Sequence, residues 1–392
     1  MIRNLLLSIL FLAVIFLGLE ALLRTTHLFG ARISWSIPDP VLGWRFAPSR
    51  DYWFLQENDH PVAWRTNRFG WKDKDWSIDK PLGTFRIAVL GDSYVEALQI
   101  ESEKNFLSLA EKELHAKGRP KFELMNFGRS AFTQTEELIV LREEVLRFSP
   151  DLVVLFFFPP NDIDEVKKET ALDPIRPFFE DAGNGSLQLD TRFQNLRTYK
   201  IKSLISPLKH HSALVSLLTE RFTLFQFRQR AKTKEGPHPR TSLPGYLSLA
   251  TAHPDPQYEL NYQWNKRLIT EMVFFLRRRG IRFLLISMDL PAYVPLVEKE
   301  YKAKDPSFNA NFFDEDLKSF AAALGADFLG LERIFRETYL KTGRPLHFQY
   351  WNEKLGKKSF EYAAHTGHWN YQGHQTLAQA LIAKLEEMKV AL

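Results

Sequence analysis

The sequence predicts an α/β fold: a doubly wound sheet of roughly five parallel strands, carrying an inserted helical subdomain and preceded by a membrane helix. Three observations predict it. Short apolar runs alternate with segments of helical apolar spacing from Phe85 to the end of the chain. One run, Leu152-Val-Val-Leu-Phe-Phe-Phe158, is apolar without alternation, as a strand covered on both faces in mid-sheet must be. The chain also opens on an apolar stretch from Leu5 to Leu23, interrupted only near its end by Glu20.

That opening stretch has just the length a span requires, about 17–25 mostly apolar residues. Its Glu20 lies where a carboxylate can reach the interface. Leu-Glu-Ala-Leu-Leu-Arg does not resemble a signal-peptidase site, which favours an uncleaved anchor over a cleaved signal for residues 1–30. Residues 31–83, rich in Trp, Pro, Asp and Arg and without sustained periodicity, read as an irregular lead-in packed on the main domain. Its Trp residues serve either as anchors to a core or as sugar-stacking platforms.

The main domain, 84–392, starts with the strand Arg86-Ile-Ala-Val-Leu90 and a helix over Asn105–Lys117. Phe122–Asn126 is a second strand, Gln134–Phe148 a helix and Asp151–Phe158 a third strand. After an interruption at 167–258 the rhythm returns: a helix over Asn261–Arg279, a strand over Arg282–Met288, a helix over Asp314–Leu324, a strand over Asp327–Leu331 and a closing helix over Tyr371–Met388. The interruption is too long for a plain loop and predicts an inserted cap or lid. Within it Tyr199–Arg230 reads as a basic, amphipathic helix, either a solvated cap or a surface for membrane or acidic polymer.

Composition narrows the function. With 45% hydrophobic and 14% aromatic residues the 392-residue chain can bury a large core, and with no Cys it has no thiol nucleophile, disulfide, zinc ribbon or iron–sulfur cluster. A net charge of +5 permits an acidic partner without making nucleic acid the default. No Gly-x-Gly-x-x-Gly follows a strand and no Walker loop is present, so no cofactor is predicted.

Open α/β sheets place ligands at the carboxyl ends of their strands. The polar residues there are Gly91-Asp92-Ser93, Asn126-Phe-Gly128 and Pro160-Asn161-Asp162, joined by His368-Trp-Asn370 before the last helix. Singly, each has a bland reading as turn, glycine conformer, helix cap or surface histidine. Together, in this order, they specify a site.

These blocks resemble those of the SGNH, or GDSL-like, hydrolase superfamily, in its membrane-anchored bacterial form. Gly91-Asp-Ser-Tyr94 is similar to the nucleophile block, Asn126-Phe-Gly128 to the glycine block, Pro160-Asn161-Asp162 to the Asn-Asp block and His368-Trp-Asn-x-x-Gly-His374 to the histidine block. Asn67-Arg-Phe-Gly70 is similar to a lead-in of anchored members. The resemblance implies a flavodoxin-like hydrolase fold, Ser93 as nucleophile, His368 as general base, and an oxyanion hole from the Ser93 and Gly128 backbone N–H groups and the Asn161 amide. The chemistry agrees, since a serine needs a base near neutrality and an oxyanion needs preorganised donors. His365 stands where the superfamily has an Asp. Either His368 is oriented by a backbone carbonyl, or an acid such as Asp92 or Asp162 comes from elsewhere, or the enzyme is impaired. The His365/His368 pair also admits a zinc reading, for which no third ligand is evident. The resemblance implies hydrolysis of an O-acyl, above all acetyl, ester on an envelope glycan by a domain outside the cytoplasmic membrane, with residues 5–23 in the bilayer. Lipid esterase or thioesterase, O-acyltransferase, and a silent scaffold of polysaccharide assembly are the alternatives.

Overall fold

The computed structural model describes residues 2–26, 36–54, 57, 60–117, 121–183, 185–234, 243, 245–348 and 367–390. Its elements run α1 (Ile2–Thr26), β1 (Ser36–Asp39), β2 (Gly43–Phe46), β3 (Asp51–Phe54), β4 (Val62–Arg65), β5 (Phe85–Gly91), α2 (Ser93–Glu96), α3 (Phe106–Ala116), β6 (Phe122–Gly128) and α4 (Gln134–Glu143). They continue through β7 (Leu152–Phe157), α5 (Pro159–Glu165), β8 (Phe178–Asp181), β9 (Leu187–Asp190), α6 (Arg197–Lys209), α7 (Ala213–Lys234) and α8 (Pro256–Arg277). The last are β10 (Arg282–Ser287), α9 (Pro295–Lys304), α10 (Phe312–Ala323), β11 (Asp327–Gly330), α11 (Glu332–Thr342) and α12 (Tyr371–Glu387).

The chain divides into two units, Met1–Trp53 with Leu172–Pro237, and Phe54–Ala171 with His238–Leu392. In the second, β11-β10-β7-β5-β6 form a five-stranded sheet whose neighbours are all parallel. Every residue of β7 is buried, which its uninterrupted apolar run dictates for the middle strand. Helices α3 and α12 pack together, as do α4, α5 and α8. The chain steps from β5 to β6 on one side and then to β7 on the other. The sheet therefore reverses direction between β5 and β7, where such folds open a crevice at the carboxyl edge.

The lead-in is less irregular than its composition suggests. β1 and β2 form an antiparallel hairpin, and β3 and β4 are strands of four residues, too short to show period-two alternation in sequence. Trp71 and Trp76 are buried anchors: the Trp71 indole N–H donates to Glu144 (2.9 Å) and that of Trp76 to Asp73 (3.0 Å). Arg86, fully buried, donates to Glu123 (2.6 Å) and to the carbonyls of Ser77, Ile78 and Phe148, tying the lead-in to the sheet. Such a cation is tolerable inside because its donors are satisfied.

Two predicted helices are each broken. The 134–148 segment ends as α4 at Glu143 and tightens into a 3₁₀ turn, closing at Ser149 in a left-handed conformation before Pro150, which bars helical continuation. The 199–230 segment breaks at His210–Ser212, where the Ser212 hydroxyl accepts from the Val215 N–H and starts α7 afresh. Helices α5, α9 and α11 were not predicted.

In the first unit, α1 is long and apolar enough to cross a membrane by length and composition. Its Glu20 closes on the start of α7, accepting from the Ala213 (2.8 Å) and Leu214 (3.0 Å) N–H groups and the Ser212 hydroxyl (2.8 Å). Arg24 donates to Glu20 (2.5 Å) and to the His211 carbonyl (2.6 Å). Leu23 and Ala213 form a small buried cluster with Leu214 and Leu217 beside it. α1 and the first half of the lead-in therefore belong to the same compact unit as Leu172–Pro237.

Candidate functional site

β5 ends at Gly91, where an added Cβ would lie 2.4 Å from the Val95 side chain, so only glycine lets the chain turn sharply into α2. Asp92 caps that helix, its carboxylate accepting from the Tyr94 N–H at 3.0 Å. Ser93 thus occupies the first helical position at the carboxyl edge of the sheet, where its own N–H has no intrahelical acceptor.

From the far end of the chain, the segment before α12 brings His368 to Ser93, with Nε2 2.8 Å from Oγ. Three contacts fix this segment. The Phe348 N–H donates to the His368 carbonyl (2.8 Å), the Trp369 indole to Asp289 (2.9 Å), and Asn370 caps α12 by accepting from the Gln372 and Gly373 N–H groups. Tyr94 packs against the imidazole at 4.6 Å between ring centroids and donates its hydroxyl to the Gly367 carbonyl (3.2 Å).

The remaining ring nitrogen, Nδ1, lies 2.9 Å from both carboxylate oxygens of Glu57, which also accepts the His368 backbone N–H at 2.9 Å. Glu57 thus brings a carboxylate to the imidazole from 311 residues upstream, at a position the sequence reading did not single out. Its backbone is left-handed (φ 67), a conformation that costs a non-glycine residue about 1–2 kcal/mol and here aims the carboxylate at the imidazole. Burial opposes charge on His368, but the Glu57 hydrogen bond and the negative charges of Glu57, Asp92 and Glu96 outweigh it and raise the imidazole pKa above 6.5. Burial likewise pushes the Glu57 carboxyl upward, yet its contacts with His368 bring it below 4.5. Nδ1–H donates to the carboxylate, leaving the Nε2 lone pair for the Ser93 hydroxyl.

The acids named from sequence are committed elsewhere. Asp92 caps α2, with its pKa pushed up to about 6 by burial, and Asp162 accepts from the Phe158 N–H (2.7 Å) and the Gln134 amide (2.9 Å). His365 lies outside the described residues. Among those described, no group of three His, Asp or Glu side chains converges to hold a metal ion.

Gly128 does not present its N–H to the site: that group donates to the Asn126 side chain at 2.8 Å. The glycine is needed for packing instead, since a Cβ there would fall 2.5 Å from the Glu96 N. Asn161 lies in the first turn of α5. Its amide donates to the Phe132 carbonyl (2.8 Å) and reaches Asp92 only at 3.4 Å. The second N–H is therefore weakly held. His374 is a core residue whose Nδ1 accepts from the Phe106 N–H at 3.2 Å.

The site is a serine whose hydroxyl is hydrogen-bonded to an imidazole, itself oriented by a carboxylate, an arrangement suited to nucleophilic attack on a carbonyl. No family model matches the chain, and no curated protein is similar to it. Among solved structures it is similar to an α/β hydrolase enzyme from the metagenome of Lake Arreo, Spain, at 14% identity over 78% of this chain and 95% of that one, with a TM-score of 0.40. It is also similar to an acetyl xylan esterase (14%, 76% and 98%, TM-score 0.41) and to a catalytic mutant of an acetylxylan esterase from Geobacillus stearothermophilus (12%, 78% and 95%, TM-score 0.38).

Proposed function

We propose that this protein is a serine-dependent ester hydrolase in which Ser93 is the nucleophile, His368 the general base and Glu57 the group that orients and charges the imidazole. The observation that carries it is the continuous chain from Glu57 through His368 to Ser93, at 2.9 and 2.8 Å. Ser93 Oγ attacks the acyl carbonyl as His368 Nε2 takes its proton, and the imidazolium is stabilised by ionised Glu57. The same proton then passes to the leaving alcohol, and water repeats the sequence on the acyl-enzyme. The Ser93 N–H and the second N–H of Asn161 receive the oxyanion; the Asn161 amide swings from its weak contact with Asp92 to do so.

The substrate we favour is an O-acetyl ester on an envelope glycan, hydrolysed outside the cytoplasmic membrane to which α1 anchors the chain. The motif blocks and the membrane-length helix support that choice. The test is fluorophosphonate labelling together with turnover of p-nitrophenyl acetate and p-nitrophenyl palmitate by the full chain, Ser93→Ala and His368→Ala. Labelling and acetate turnover should vanish in both variants, with acetate preferred to palmitate in the parent. A parent protein that neither labels nor exceeds Ser93→Ala would overturn the hydrolase reading.

A further inference from the structure

The first unit holds a cavity that the ester chemistry does not use. It has a volume of about 650 Å³ and lies between the β1–β2 hairpin, α6 and α7. That is well inside the range of small-molecule sites, about 300–1,000 Å³, and far above the voids that protein interiors retain. Its walls are chiefly apolar, with Ile37, Trp44, Ile175, Ile205, Leu218 and Phe222 among them.

The charged groups facing it are Lys202, Lys209, Asp173 and Glu220. Asp173 accepts from the Ile175 N–H (2.9 Å), while Glu220 makes only a weak contact with the Ser216 hydroxyl (3.4 Å). Lys202 and Lys209 stand about two turns apart on one face of α6, so both ammonium groups line the same wall. Burial lowers the Lys209 pKa, with Glu220 the opposing charge. An apolar chamber with cationic groups on one wall suits an amphiphile.

The unit's own architecture says where that amphiphile comes from. α1 is apolar as far as Leu19, and the carboxylate that follows, Glu20, belongs at the membrane interface. Glu20 is bonded to Ser212, Ala213 and Leu214, the elbow from which α6 and α7 diverge. The elbow therefore sits at interface depth, and the cavity opens between the helices leaving it. Leu204 and Leu208 on α6 and Phe225 on α7 are more than half exposed (79%, 60% and 57%), apolar side chains better matched to the headgroup–acyl boundary than to water.

We propose that this cavity is a binding site for the acyl chain of an anionic lipid, seated between α6, α7 and the β1–β2 hairpin, with Lys202 and Lys209 toward its head group. The site is independent of the Ser93 chemistry, and its test is run on full-length Ser93→Ala so that hydrolysis cannot consume the probe. Vesicles containing the protein carry a trace of phosphatidylglycerol with a diazirine on its acyl chain, and a parallel arm in detergent uses diazirine-palmitic acid. Cross-links are mapped by mass spectrometry, with α1 as the internal standard for general lipid contact.

The expected result is labelling of peptides containing Ile205 and Phe222 by the phospholipid, reduced about tenfold relative to α1 by the cavity-filling change Ile205→Trp. In the palmitate arm, excess unlabelled palmitate should suppress the same cross-links. Labelling by palmitate alone would support the acyl site and name a free fatty acid as its source. Cross-links confined to α1, or cavity labelling that neither the tryptophan nor the competitor reduces, would overturn the proposal. If Ile205→Trp fails to fold, competition on the unaltered cavity still decides it.

Discussion

Replacing Glu57 by Gln keeps the shape of the side chain and removes its charge, which separates the electrostatic part of its task from the steric part. The carboxylate oxygens lie 2.9 Å from His368 Nδ1. Taking the charge centres as about 4 Å apart at an effective dielectric constant of about 20, the pair is worth roughly 4 kcal/mol once the imidazolium forms. At 1.36 kcal/mol per tenfold that is a loss of about a thousandfold in kcat, rising toward about 10⁴ if the amide also selects the wrong tautomer. The pH profile supplies a readout that a purely structural role would not move. A general base works when neutral, and the raised His368 pKa puts the acid limb of kcat/KM above pH 6.5 in the parent enzyme. Without Glu57 the two largest contributions that raise the imidazole are gone, and the limb should move to lower pH while the surviving rate stays small. The assay is p-nitrophenyl acetate hydrolysis between pH 5 and 9 on matched preparations, with Glu57→Asp expected to recover part of the rate. A Gln variant within threefold of the parent, with an unmoved acid limb, would refute the assignment of Glu57.

Asn161→Ala should lower kcat about 10²- to 10³-fold with little change in KM, because a donor used only in the transition state is lost; steady-state kinetics on the acetate ester measure it. Gly128→Ala should act on stability, by about 1–3 kcal/mol in urea melts, because its Cβ would sit 2.5 Å from the Glu96 backbone nitrogen. A Gly128 variant that folds normally but has lost its rate would restore the oxyanion role its sequence context suggested. Glu20→Ala removes the acceptor for the first N–H groups of α7 and should cost about 0.5–2 kcal/mol locally. Limited proteolysis should then cut within Leu172–Pro237 sooner than in the parent.

The sheet was legible because its strands are bounded apolar runs and its helices keep their spacing. Even the mid-sheet place of β7 follows from the absence of polar residues in it. Ser93 and Asn161 could be placed because each follows a strand whose end can be read, and His368 because it precedes a helix whose start can. Glu57 was not, since it lies in a short polar run between four-residue strands and nothing local ties it to a histidine at the other end of the chain. Asp92 and Asp162 were attractive as acids only by proximity in sequence to the site. Their carboxylates are taken up by backbone N–H groups of Tyr94 and Phe158, as those of aspartates at helix starts commonly are. Gly128 shows a related ambiguity: a glycine at a strand end can offer its N–H or make room for a neighbouring backbone, and the letter G does not say which.

The long chain separation between Glu57 and His368 also gives the protein a timetable. Synthesis delivers the carboxylate and the nucleophile early, while the imidazole that joins them arrives only with the closing segment, just ahead of α12. On the proposed mechanism, a growing chain that has passed residue 93 holds a serine no more reactive than any other until His368 is made. Hydrolytic capacity on that mechanism waits until His368 has been made and the two ends of a long covalent loop have found each other, however well the sheet has folded before then.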